Sequence, residues 1–217
     1  MRVMPLLAGL AIGLVAFLPA RLALPAPPLA ASAVAGSLWR AELVDAQAGA
    51  VTLGNLGLSA QPLALLKGRL QWAVAGSLSG QVWRSAGAQG ADGLSGRISG
   101  AALPGLPIRS IDLAGLSLAL DGAGRCQSAS GQVTAALATP VAGQATMSGS
   151  PACAGEALNL PLASADGRLR LDIAIRPGRW QVVARINGAA PAELLALTAA
   201  GFRADGGSLT RMQEGSW

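Results

Sequence analysis

From Ala35 onward, hydrophobic and polar residues alternate along most of the chain with a period of two. This period is typical of β-strands that bury one face. The clearest short examples lie at residues 56–60, 70–74, 78–82, 116–120, 133–137 and 158–162. Pro161 falls within the last of these, and because proline cannot donate a ladder hydrogen bond, it predicts an edge strand there.

The strongest local pattern is a predicted β-hairpin around Pro177-Gly178. Leucines and isoleucines alternate from Leu169 to Ile175, and apolar residues alternate again from Trp180 to Ile186. Proline suits the first corner of a tight turn, and glycine tolerates the positive φ of the second. A two-residue turn places Ile175 opposite Trp180 and Ile173 opposite Val182 on one buried face, with Arg170, Asp172 and Arg185 on the other.

Helix signals are few. Residues 62–67 predict one helical turn ended by Gly68, and residues 191–200 predict a short helix that begins at Pro191. Asp205-Gly206 predicts a further hairpin. Together with 29 glycines, these signals predict an all-β fold, either a curved antiparallel meander or a partly closed barrel.

The first 22 residues form the longest apolar segment. Residues 3–20 carry no charge, lie between Arg2 and Arg21, and are close to the length of a membrane-spanning helix. We expect an N-terminal transmembrane anchor over 1–22, a Pro/Ala-rich linker over 23–35 and a β-rich domain over 36–217 outside the cytoplasm. Two alternatives are a signal peptide cleaved near Ala31–Ala33 and a buried core helix.

Composition excludes several classes of protein. Hydrophobic residues make up 52% and charged residues 12%, which does not fit a disordered chain. The chain lacks histidine, so it has no Ser-His-Asp triad and no histidine-based zinc site. The net charge of +5 comes from scattered arginines, and aromatic residues are only 3%, so we expect no nucleic-acid binding.

No residues stand out as catalytic, cofactor-binding or metal-binding. Asp166 and Asp205 precede glycines and predict turns, and Asp172 predicts a solvent-facing strand position. We therefore expect a protein that is not an enzyme.

Cys126 and Cys153 are the two cysteines of the chain. An even count in an exported chain favours a disulfide between them. The alternative is a pair of free, buried thiols.

Several segments together resemble a known family. They are Gly36–Trp39, Leu53–Leu58, Pro62–Leu70, Cys126–Val133, and Cys153 with the hairpin over residues 166–186. In this order they resemble protein N of the type II secretion system. Arg40-Ala41-Glu42 departs from the family, which usually has a further glycine soon after the tryptophan.

The resemblance implies a single-pass inner-membrane protein with a periplasmic domain, acting as an accessory, non-enzymatic component of the secretion machinery. Its expected partners are other components of that machinery, and Trp39, Trp72 and Trp83 are either contact residues or core residues. The alternative function is a periplasmic lipid or lipoprotein carrier with an AsmA-like curved sheet. An open groove lined by Leu, Ile and Val favours the carrier, and a filled interior favours a structural module.

Overall fold

The computed structural model describes residues 29–37, 39–48, 51–99, 108–141, 144–189, 191–199 and 201–216. The predicted anchor over residues 1–22 lies outside these residues. Within them, no helix is both long and apolar enough to cross a membrane.

Sixteen strands make up most of the described chain, with one 3-10 helix at Pro62–Lys67 and one α-helix, α1, at Pro191–Ala199. The strands are β1 (Leu29–Ala30), β2 (Ala33–Ser37), β3 (Arg40–Ala48), β4 (Val51–Ala60), β5 (Leu70–Gly76), β6 (Leu78–Arg84), β7 (Ala88–Ser99), β8 (Ile108–Asp121), β9 (Cys126–Val141), β10 (Gln144–Gly149), β11 (Ala152–Ala154), β12 (Ala157–Ala163), β13 (Leu169–Arg176), β14 (Arg179–Asn187), β15 (Arg203–Asp205) and β16 (Ser208–Ser216).

These strands form one antiparallel sheet in the order β1-β3-β4-β5-β6-β7-β8-β9-β10-β12-β13-β14-β16-β15. β2 also pairs with β3, and β11 pairs with β12. The predicted all-β meander with a short helix is therefore confirmed. The sheet is open, because its terminal strands do not pair with each other within the described residues.

The predicted hairpin is present with the expected register. Ile175 lies opposite Trp180, and Ile173 lies opposite Val182. Burial along this face is uneven: Leu171 is completely buried, whereas Ile175 near the turn is 37% exposed. On the other face, the Arg185 guanidinium pairs with the Asp172 carboxylate at 3.3 Å.

Side chains on the inner face of the sheet form two clusters of buried residues. The first lies on β3–β7 and the second on β8–β16, where Phe202 and Leu197 also pack. Ile111 and Leu113 of β8 pack against both clusters. Leu197 of α1 and Phe202 therefore cover part of the cluster that contains Leu171.

Two expectations need correction. Pro161 does not lie on an edge strand, because β12 has neighbours on both sides. The ladder between β12 and β10 is confined to Ala163, and the ladder between β12 and β11 reaches only to Asn159. Pro161 lies in the gap between these two ladders. In addition, residues 29–35 fall within the predicted linker, yet β1 and β2 pair with β3.

Candidate protein-contact site

The three tryptophans considered as contact or core residues lie at the same end of the sheet. The Ala60 amide donates to the Trp39 carbonyl at 2.9 Å, and Ala60 lies opposite Trp72 in the ladder between β4 and β5. Trp83 lies on β6, opposite Gln71. We call this the tryptophan end, and we call the opposite end, where β1 pairs with the last residues of β3, the entry end.

Trp83 is held tightly by its neighbours. It is only 9% exposed, and the Arg69 guanidinium lies 4.6 Å from the centre of its ring in a cation–π contact. Its indole lies over Gly90 on β7. A Cβ atom added at Gly90 would be 2.7 Å from the ring. Trp39 and Trp72 are half-buried. A direct role for the three tryptophans in partner contact stays a prediction.

The 3-10 helix between β4 and β5 projects from the tryptophan end. Pro62 begins it, and Gly68 ends it in the left-handed conformation with φ of 68°. The Gln61 amide donates to the Gln71 carbonyl at 2.8 Å, and the Arg69 amide donates to the Ala64 carbonyl at 3.1 Å. Backbone hydrogen bonds therefore fix the segment at both ends.

This ordered segment exposes large apolar side chains. Leu63 is 76% exposed, Leu65 46%, Leu66 85%, and Leu70, at the start of β5, 44%. We call these four residues the leucine tip. Ala64 is the residue of the 3-10 helix that is buried. Exposed leucine forgoes about 1.5–3 kcal/mol of burial free energy per side chain, and four exposed leucines within eight residues make this segment a candidate interaction surface.

Sequence reasoning predicted the turn but missed the exposure of its leucines. The exposure follows the three-residue repeat of a 3-10 helix, in which residues three apart share a face. Leu63 and Leu66 therefore share one face of the helix, and Ala64 lies on another. A search for periods of two and 3.6 does not detect it.

The surroundings of the leucine tip are positively charged. Lys67 and Arg69 belong to the same segment, and Arg40 and Arg84 are exposed at the tryptophan end of β3 and β6. Glu42, two residues after Arg40 on β3, is exposed as well, and residues 46–91 contain no Asp or Glu. The site therefore combines apolar side chains with cations.

A disulfide joins the predicted pair, Cys126 at the start of β9 and Cys153 on β11, with their Cα atoms 5.5 Å apart. The Cys126 amide also donates to the Glu156 carbonyl at 3.0 Å. Beside it, the Arg125 guanidinium contacts the Asp121 carboxylate at 2.6 Å and the Glu156 carboxylate at 3.3 Å. These contacts connect β9 to the turn between β11 and β12, beyond the end of the short strand β10.

The local hydrogen bonds also shift the ionisation of two carboxylates. The backbone amide of Arg125 donates to Asp121 and, together with the Arg125 side chain and the Ala123 amide, lowers the pKa of that carboxyl. The Ser164 hydroxyl and the Arg168 amide lower the pKa of Asp166 in the same way. Both carboxylates accept hydrogen bonds from backbone amides of the turns in which they lie. In the described part of the chain, no three His, Cys, Asp or Glu residues come close enough to hold a metal ion.

Comparison with known protein families identifies the family of this chain. The family model for the type II secretion system (T2SS), protein N, matches residues 27–211. No curated protein and no solved structure matches the chain. The matched region covers most of the chain and includes the 3-10 helix, the disulfide and the hairpin at Pro177-Gly178. The chain therefore belongs to the type II secretion system protein N family.

Proposed function

We propose that this protein is a non-enzymatic accessory component of the type II secretion machinery, held in the inner membrane by residues 3–20 with its β-sheet domain in the periplasm. The observation that carries the proposal is the family match over residues 27–211. Proteins of this machinery work as an assembly, so the partners are its other components.

Two features of the chain support the location. Residues 3–20 are uncharged over nearly the length that spans a bilayer as a helix. The disulfide between Cys126 and Cys153 is of the kind that persists in oxidising compartments such as the periplasm.

The packed interior favours a structural module over the alternative lipid carrier. Leu43, Met147, Leu169, Leu171 and Ile186 are almost completely buried, so the chain's own side chains cover the inner face around these five residues. The cleft over β13, β14 and β16 has Arg176, Arg179 and Glu214 in its wall, and the cleft over β2–β5 has Arg40 and Glu42 beside Leu56 and Leu58. Charged walls are poorly suited to acyl chains.

Association is tested by purifying the full chain through a C-terminal tag from detergent-solubilised membranes. We expect other secretion components to be enriched over an unrelated inner-membrane protein. The control is the same purification from a strain that lacks the remaining secretion genes. Absence of enrichment contradicts the proposal, and co-purification of one lipid in equimolar amount favours the carrier instead.

Membrane topology is tested separately. A reporter that is active only outside the cytoplasm, fused after Trp217, should be active, and the mature protein should retain its N-terminal residues in mass spectrometry. A mature N-terminus near Val34 would contradict the anchor while leaving export intact.

A further inference from the structure

The leucine tip lies far from the point where the chain enters the domain. β1 pairs with Gln47 and Ala48 at the end of β3, whereas the 3-10 helix follows Ala60 at the other end of β4. β4 has 10 residues, which at the rise of a β-strand separates the two ends by about 30 Å. This inference rests on the proposed function, in which residues 3–20 cross the inner membrane, and the tip lies at the end of β4 remote from the strand β1 that follows them.

The leucine tip is ordered before any partner binds. Hydrogen bonds of Ala60, Gln61, Gly68 and Arg69 hold both ends of the segment, and of its 3-10 helix only Ala64 is buried. A rigid apolar projection loses little conformational entropy on binding, which is how preorganised contact segments gain affinity.

The charges around the leucine tip indicate what kind of partner surface would be complementary to it. Lys67, Arg69, Arg40 and Arg84 lie at the same end of the sheet as the leucines. Residues 40–84 contain these four cations and two carboxylates, Glu42 and Asp45, so positive charge is in excess there. A complementary surface therefore has an apolar centre and a negatively charged rim.

We propose that the leucine tip docks into an apolar cleft rimmed by Asp and Glu on another protein of the secretion machinery. Leu63, Leu65, Leu66 and Leu70 fill the cleft, and Lys67 meets its acidic rim. Arg69 stays over Trp83 and keeps the base of the projection rigid.

The chain offers a matched control for this surface. Leu195 on α1 is 81% exposed, against 85% for Leu66. α1 follows β14, which lies eight positions from β5 in the strand order of the sheet. The same change at Leu66 and Leu195 therefore alters equally exposed leucines on widely separated strands.

The test places a photoreactive amino acid at position 66 or 195 of the full chain in cells that contain the complete secretion machinery. After irradiation, crosslinked peptides are identified by mass spectrometry. We expect position 66 to crosslink to a secretion component, at a segment flanked by Asp or Glu, with a yield at least about tenfold above that for the same component at position 195. A crosslink from position 66 to phospholipid, to a second copy, to residues 1–28 of the same chain, or to nothing overturns the inference.

Substitutions in the leucine tip check the same contact. We expect Leu66→Asp and Lys67→Glu each to reduce the amount of that component co-purified with the full chain by about tenfold, and Leu195→Asp to leave it unchanged. Unaltered thermal melting and an intact disulfide show that each variant is folded. Equal losses for Leu66→Asp and Leu195→Asp overturn the inference.

The outcomes separate this inference from the proposed function. If secretion components co-purify with the full chain but position 66 crosslinks to none of them, the docking inference fails and the proposed function stands. If no secretion component is enriched with the unsubstituted chain, the proposed function itself fails.

Discussion

Neighbouring residues of β13 differ sharply in their environments. Leu171 is completely buried in the cluster on β8–β16, while the carboxylate of Asp172 pairs with Arg185 across the exposed face. The sequence predicts this difference, because strand geometry sends consecutive side chains to opposite faces. The degree of burial is harder to predict, since Ile175 shares the face of Leu171 but lies near the turn and is 37% exposed.

Leu171→Ala should lower the free energy of unfolding by about 2–5 kcal/mol, because it removes buried methyl groups and leaves a cavity. Asp172→Ala should lower it by less than about 1 kcal/mol, because exposed ion pairs contribute little. Urea unfolding of both variants checks the contrast. Equal losses would contradict the assignment of the two faces.

Cys126→Ser should lower the free energy of unfolding by about 2–5 kcal/mol, because loss of the crosslink increases the conformational freedom of the unfolded chain. Cys153→Ser should have the same effect, and the double variant should lose little more than either single variant. Urea unfolding under non-reducing conditions measures all three. A double variant that loses the sum of two large single effects would indicate separate thiol roles instead.

At the scale of elements, two tryptophans lie across glycines on neighbouring strands. Trp83 lies opposite Gly90, and Trp180 lies opposite Gly215. In both pairs an added Cβ at the glycine would be less than 3.0 Å from the indole. Because glycine has no side chain, each indole has room to lie flat on the sheet. The ring then covers the backbone of the glycine on the neighbouring strand.

Gly215→Ala should lower the free energy of unfolding by about 1–3 kcal/mol, because the new methyl group forces the indole of Trp180 to move. The three atoms nearest to that methyl group all belong to Trp180. In a Trp180→Ala background, Gly215→Ala should therefore cost little. A double-mutant cycle measured by urea unfolding tests this coupling, and additive losses would contradict it.

Elements with strong local signals were predictable from the sequence, and those fixed by their neighbours were not. The hairpin at Pro177-Gly178 has both a turn dipeptide and matching apolar faces, so its register follows from local rules. β7 contains three glycines and few large apolar residues, and its position between β6 and β8 holds it in the sheet. The leucine tip escaped prediction because exposure depends on the tertiary structure around a segment.

At the scale of the whole molecule, the sequence predicts a meander but not whether it closes. Closure depends on the distance between β1 or β2 and β15 after all the intervening strands have added their twist, and no local pattern encodes that sum. The two buried clusters meet at Ile111 and Leu113 of β8, so the long central strand connects the halves of the sheet.

Stability should change little between about pH 5 and pH 8, because the chain contains no histidine. It should fall below about pH 4, because the folded-state pKa values of Asp121 and Asp166 lie below their ordinary value of 3.8. As pH drops through this range, the unfolded state takes up protons first, and the stabilisation by these carboxylates is lost.

Urea midpoints at about pH 7, pH 5 and pH 3 measure this dependence. Asp121→Asn combined with Asp166→Asn should reduce the difference between the two lower pH values. A large loss of stability already at about pH 5 would contradict the prediction.

The order of the sheet has a consequence for how the domain forms. Almost every strand pairs with the strand next to it in the chain, and the disulfide spans only 27 residues. The ladder partner of most strands is therefore available as soon as its immediate neighbour has emerged from the ribosome or from a translocation channel. The hydrogen-bonded sheet can grow from its N-terminal strands, a local topology that favours rapid folding, whereas the buried cluster on β8–β16 is completed last, because Leu209 of β16 packs in it.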